Sequence, residues 1–179
     1  MMEIITTPFD GLYVLKTINH QDIRGGFQKL FNIDAFKAHN LVVDFNEMYY
    51  SVNHKNVLRG MHFQTPPHDH EKLVYVSNGR IKDVVVDIRT NSSTYGKYFV
   101  VELDNHSGMY LYIPKGFAHG FLSLEDNTIV NYAQTSVYNQ EHDSGIDALS
   151  FGFDWGVAKP IRSGRDLTFT TLDKFESPF

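Results

Sequence analysis

Gly108-Met109-Tyr110-Leu111-Tyr112-Ile113-Pro114-Lys115-Gly116-Phe117-Ala118-His119-Gly120-Phe121 is the stretch from which the rest of the chain is best read. The apolar run Gly108–Ile113 reads as a strand, Pro114 and Gly116 break it, and His119 follows at fixed spacing. The same texture continues on both sides. Downstream lie Phe121–Leu124 and Ile129–Tyr138. Upstream lie Tyr98–Leu103, Arg80–Ile88 and Lys72–Val76, the last two joined by the hairpin signal Ser77-Asn78-Gly79. Val84-Val85-Val86 has the continuous apolar character of a strand buried on both faces. Gly11–Thr17, Gly26–Phe31 and Phe45–Val52 complete the series, with His20-Gln21-Asp22 and Asn53 to Asn56 as turns. Asp34 to His39 carries the one helix signal of the first half. After Asn139 the alternation fades into Gly, Asp and Ser, a tail of loops and short helices over the strands. With fourteen Phe and ten Tyr added, the expectation is an all-β sandwich or barrel.

At 179 residues without an internal repeat or linker, the chain is expected to form one domain, 1–179. The absence of cysteine excludes disulfides, thiolate nucleophiles and cysteine zinc sites. Sixteen Lys and Arg stand against 21 Asp and Glu, a net charge of -5, which argues against general nucleic-acid binding but leaves room for an anionic small molecule. The start, MMEIITTPFDGLYVLK, lacks the pattern of a signal peptide, and no apolar run reaches membrane-spanning length. A cytoplasmic protein with neither nucleic-acid nor membrane partner is expected.

Nine histidines are many for this length. His119 is set in a pattern, Gly108, Pro114, Gly116, His119, that resembles the second motif of the cupin superfamily, with Ser123 in place of its usual Asn. Counting back from Gly79, the position of the metal-binding glutamate in the first cupin motif holds Lys72, a cation that disfavours a metal. His68 and His70 lack a third ligand at strand spacing and read as solvated loop histidines. No metal and no cofactor are expected.

Taken in order, Leu58-Arg59-Gly60-Met61-His62-Phe63-Gln64, Lys72-Leu73-Val74, Asp83 to Arg89, Pro114 to Phe121 and Glu141-His142 resemble the dTDP-4-dehydrorhamnose 3,5-epimerase family. Asp22 to Phe27 and Pro160 to Asp166 extend the likeness over nearly the whole chain. The resemblance implies a cupin jelly-roll barrel, a homodimer, and metal-free epimerisation of a nucleotide-linked 4-keto-6-deoxyhexose. The chemistry suits the residue types. A ketone at C4 acidifies the hydrogens on C3 and C5, and inversion needs a base, an acid on the opposite face, and positive charge at the enolate oxygen. By motif match His62 is the base, Asp166 its partner, Lys72 the group at the enolate and Tyr132 the acid. Substrate contacts are assigned to Arg59, Gln64 and His119, with Asp83 orienting His119 and Tyr138 walling the nucleotide base; Arg24 and Phe27 are lent across the dimer. Lys29 replaces the family's usual acid, and Glu47-Met48-Tyr49 its usual Gln-Asp-Asn. Those two charges suggest a cytosine reader, so alternatives are a C3-only epimerase of a CDP-linked sugar, or a non-catalytic sugar-nucleotide-binding cupin.

Overall fold

The computed structural model describes residues 2–179. In chain order its elements are β1 (Glu3–Thr6), β2 (Tyr13–Lys16), β3 (Asn19–Asp22), β4 (Gly25–Gln28), the helix α1 (Ile33–Ala38), β5 (Glu47–Asn53), β6 (Leu58–Gln64) and β7 (Lys72–Asn78). There follow β8 (Arg80–Asp87), β9 (Tyr98–Asp104), β10 (Met109–Ile113), β11 (Phe117–Ser123), β12 (Thr128–Gln134) and β13 (Asp143–Gly145). Two single 3-10 turns, Asp166–Thr168 and Leu172–Lys174, mark the tail. The strands form a six-stranded sheet, β1-β2-β10-β7-β12-β5, facing a five-stranded sheet, β13-β6-β11-β8-β9, with β3 and β4 as a separate hairpin. Every pairing between these strands is antiparallel, and consecutive strands from β5 to β8 and from β9 to β12 alternate between the two sheets, which makes the jelly roll.

Alternation along each strand divides the apolar side chains among three layers. Between the sheets lie Val74, Val85, Leu111, Phe121, Val130 and Tyr132. Val84 and Val86 point the other way, into a second layer with Met61, Leu122, Ile146 and Trp155 under the tail. The tail therefore covers the outer face of the five-stranded sheet, and Val84-Val85-Val86 is apolar throughout because both its faces are buried. A third layer, Leu15, Phe36, Leu73 and Tyr110, seats α1 on the outer face of the six-stranded sheet. Asn32 caps that helix, its side chain accepting from the Ala35 N–H.

Several elements differ from the sequence expectation. β7 and β8 do not form the hairpin expected at Ser77-Asn78-Gly79: the turn at Gly79 carries the chain from one sheet to the other, so the two strands do not pair. β6 and the short β1 and β13 carried no clear signal. β3 occupies the stretch expected as a turn at His20-Gln21-Asp22; its hairpin stands away from the core, so neither face shows apolar alternation. β12 ends at Gln134, so Tyr138 lies in the loop beyond rather than on the strand.

Candidate active site

A cavity of about 420 Å³ opens between the sheets. Arg59, His62, Gln64 and His119 line it from the five-stranded sheet, and Glu47, Tyr49, Lys72 and Tyr132 from the six-stranded one. Arg59 and His62 could not share this wall in a regular strand, since residues three apart point to opposite faces. The register solves this: His119 pairs with His62 and Phe121 with Arg59, so β6 carries one extra residue, a β-bulge. The bulge sits at Gly60, whose φ of 116° is unsuited to a side chain and whose Cβ would lie 2.6 Å from the Gly120 Cα.

His62 Nε2 lies 2.9 Å from Asp166 Oδ1, and Asp166 Oδ2 accepts the Gly60 N–H at 3.1 Å. With Nε2–H directed at the carboxylate, Nδ1 carries the lone pair. Asp166 comes from the tail, where Arg162 donates to its carbonyl oxygen and to Asp147. Burial works to raise the Asp166 carboxyl, but the bonds and charge of His62, with Gly60 and Ser163, outweigh it and hold it at about 2. Lys72 is buried in the facing sheet. Burial brings its ammonium down to about 8, with Asp83 and Asp143 opposing the fall. His119 Nε2 is 2.9 Å from one oxygen of the buried Asp83, and burial drives the imidazole toward neutrality, in which Nε2–H donates to that carboxylate.

Tyr132 projects from β12 across from His62. Burial raises its phenol first, the adjacent Tyr49 next, so it stays protonated and able to donate. Arg59 Nε donates to the buried Asn53 Oδ1 at 2.7 Å, which fixes the guanidinium at the cavity wall. A base with an oriented partner, a buried cation and a protonated phenol thus face one space from two sheets, an arrangement suited to moving protons on a carbon next to a carbonyl.

The profile of the dTDP-4-dehydrorhamnose 3,5-epimerase family matches residues 6–174. The chain belongs to the dTDP-4-dehydrorhamnose 3,5-epimerase family. It is 40% identical over 176 residues to the enzyme of that name from Methanothermobacter thermautotrophicus, covering 97% of this chain and 92% of the relative. The Legionella pneumophila epimerase, solved in complex with dTDP-4-keto-L-rhamnose, superposes with a TM-score of 0.93 at 32% identity, covering 98% and 95% of the two chains. A 3'-monoepimerase from Streptomyces bikiniensis, solved with dTDP-quinovose, gives 0.88 at 27% identity, covering 93% and 86%. The cupin jelly roll is that of these dTDP-sugar epimerases, and the chain is an isomerase acting on a nucleotide-linked sugar.

As a member of this epimerase family, the chain brings His62, Asp166, Lys72, Tyr132, Arg59, His119, Glu47, Gln64 and Tyr138 together at or against one cavity, with Asp83 behind His119. Gln64 lines the wall, but its amide is taken up by the following loop: it donates to the His68 and Val137 carbonyls and accepts the Asn139 N–H. Arg24, Phe27 and Lys29 are not at the cavity of their own chain. Arg24 is exposed and paired with Asp22, while Phe27 and Lys29 edge a second cavity beside His20 and Tyr110. Lys29 and Glu47 therefore do not form the paired base reader within one chain. Nor is His70 a solvated loop residue: it lines the cavity, and its imidazole is brought down to about 3 by burial and then by Lys72. His68 is packed against the His142 ring at 4.6 Å. Among the described residues no group of three His, Asp or Glu is placed to hold a metal. Sequence reasoning missed Tyr49, Ser51, Asp143 and Arg165 on the cavity wall. Only Arg165, next to Asp166 and 2.7 Å from Asp143, offered a signal, a cation flanking the dyad acid.

Proposed function

We propose that this chain works as one domain and epimerises a dTDP-linked 4-keto-6-deoxyhexose at C3 and C5, without a metal. His62 Nδ1 takes the proton from carbon, the electron pair moves into the C4 carbonyl, and Lys72 stabilises the resulting enolate oxygen. Tyr132 returns a proton to the opposite face. Asp166 stabilises the imidazolium, and Arg59 and His119 hold the sugar and diphosphate. The observation that carries this reading is the placement of the His62–Asp166 pair and Tyr132 on opposite sheets of one cavity. At the nucleotide end, Glu47 Oε2 accepts from Gln134 and from the Tyr138 N–H, which leaves Oε1 as an acceptor for a base N–H such as thymine N3–H. Set opposite N3, that acceptor favours dTDP over CDP, whose N3 carries a lone pair, and so reverses the cytosine reading of the Glu47 charge; the dTDP-sugar ligands of the neighbouring structures point the same way.

A homodimer suits the surface. Met48, Tyr50 and Val52 stand exposed on the outer face of the edge strand β5, and Phe27 is exposed on the β3–β4 hairpin. In that assembly the hairpin lends Arg24 and Phe27 to the partner's nucleotide. No helix among the described residues is long and apolar enough to cross a membrane, and we place the enzyme in the cytoplasm.

The test is incubation with a dTDP-4-keto-6-deoxyhexose in deuterated water, with NMR to locate the exchanged carbons. His62→Ala abolishes exchange at C3 while dTDP still binds. Tyr132→Phe slows formation of inverted product more than exchange back into the starting epimer. Near wild-type exchange in His62→Ala would remove His62 from the mechanism.

A further inference from the structure

Tyr49 lies directly across from Tyr132 in the β5–β12 ladder, and the two rings stack with centroids 4.6 Å apart at 18°. Both rings border the cavity. Tyr49 is held at its far end as well. Its hydroxyl donates to Gln134 Oε1 at 3.4 Å, Gln134 donates to Glu47 at 3.0 Å, and Glu47 accepts the Tyr138 N–H. A parallel aromatic plate thus lies along the proton donor, anchored to the loop at the nucleotide end.

C3 and C5 stand one carbon to either side of the ketone, so a donor serving both must shift against the sugar between two positions. A phenol stacked on a ring fixed directly opposite it in the neighbouring strand has little freedom to do so, because sliding it sacrifices the stacking contact. We propose that Tyr49 is a positioning residue that holds Tyr132 nearer one of the two carbons than the other and so sets the ratio of C3 to C5 inversion. This rests on Tyr132 being the acid. A protonation at either carbon is the same step: the O–H bond of Tyr132 breaks, a C–H bond forms, and the enolate pair returns to carbon as the carbonyl reforms. Tyr49 decides only where that step occurs.

The experiment follows inversion at C3 and C5 separately, by NMR in deuterated water with a dTDP-4-keto-6-deoxyhexose, for wild type, Tyr49→Ala, Tyr49→Leu, Tyr49→Phe and Tyr132→Phe. Tyr49→Ala and Tyr49→Leu shift the C3-to-C5 ratio by roughly three- to ten-fold, the range a stacked aromatic pair accounts for. Tyr49→Phe, which keeps the plate and loses only the hydroxyl, restores the ratio to within about two-fold of wild type. If Ala and Leu lower both rates equally and leave the ratio alone, or if neither folds, the ring is structural and the proposal is overturned. The underlying assignment fails differently: Tyr132→Phe would then form inverted product at the wild-type rate.

Discussion

Replacing Asp166 by Asn changes one atom and removes the charge that faces the imidazolium. The carboxylate sits 2.9 Å from His62 Nε2 and 3.1 Å from the Gly60 nitrogen, both of which donate to it. An amide can accept from only one of them and must turn its own NH₂ toward the other. The Asp166 carboxyl is held at about 2 against an ordinary 3.8, which at about 1.4 kcal/mol per pH unit amounts to roughly 2–3 kcal/mol favouring the charged form. Gly60 and Ser163 supply part of that, so the share felt by the imidazolium is about 1–2 kcal/mol, a slowing of roughly 5- to 30-fold. Deuterium wash-in at C3, measured under saturating sugar nucleotide, reads this directly. A change below about two-fold would show that the carboxylate does nothing for the charged base, and a loss as complete as in His62→Ala would show that it does more than stabilise it. Stability carries a second signature. Because the folded carboxyl lies below its unfolded value, its contribution is fully present above pH 3.8 and disappears as pH falls toward about 2. The acid-unfolding curve of Asp166→Asn therefore loses that component.

Lys72→Met should be inactive yet more stable. Between pH 8 and 10.5 the unfolded chain keeps a proton that the folded one releases, so the buried ammonium costs stability at neutral pH, and calorimetry should show a higher Tm by at least a few degrees. An unchanged or lower Tm would contradict the burial cost. Gly60→Ala meets the Gly120 backbone and a forbidden φ together, so denaturant melts should show a loss of about 2–4 kcal/mol, with activity falling as the bulge is disturbed. Wild-type stability would mean the bulge tolerates a side chain. Finally, calorimetric titration should find dTDP bound roughly five-fold more tightly than CDP, since a half-buried Glu47 set opposite N3 meets a donor in thymine and an acceptor in cytosine, a difference of about 1 kcal/mol; equal affinities would remove Glu47 as a base reader.

Strands such as β7 and β8 were legible from their apolar runs and the turn at Gly79, but their pairing was not, since the same turn signal serves a hairpin or a passage from one sheet to the other. β6 was not, although it bears His62. Its bulge breaks the two-residue period, and its cavity-facing positions are polar, so it imitates a loop. His62, Lys72 and His119 could be found from the strings around them, which packing constrains on both sides. Tyr49, Asp143 and Ser51 could not, because what makes them cavity residues is cross-strand register and sheet closure, which sequence spacing does not express. Lys29 shows the converse: its charge stands out in the sequence, but which cavity it edges depends on how the chain leaves the β3–β4 hairpin.

The carboxylate that pairs with His62 is carried by the segment that wraps the outside of the five-stranded sheet, not by the barrel strands that bear His62, Lys72 and Tyr132. Gly60, at the bulge, and His62, two residues on, both direct an N–H at that one side chain. The strap thus buckles onto the strand at the point where the strand departs from regularity, so a loosened tail would free the histidine ring and the bulge together.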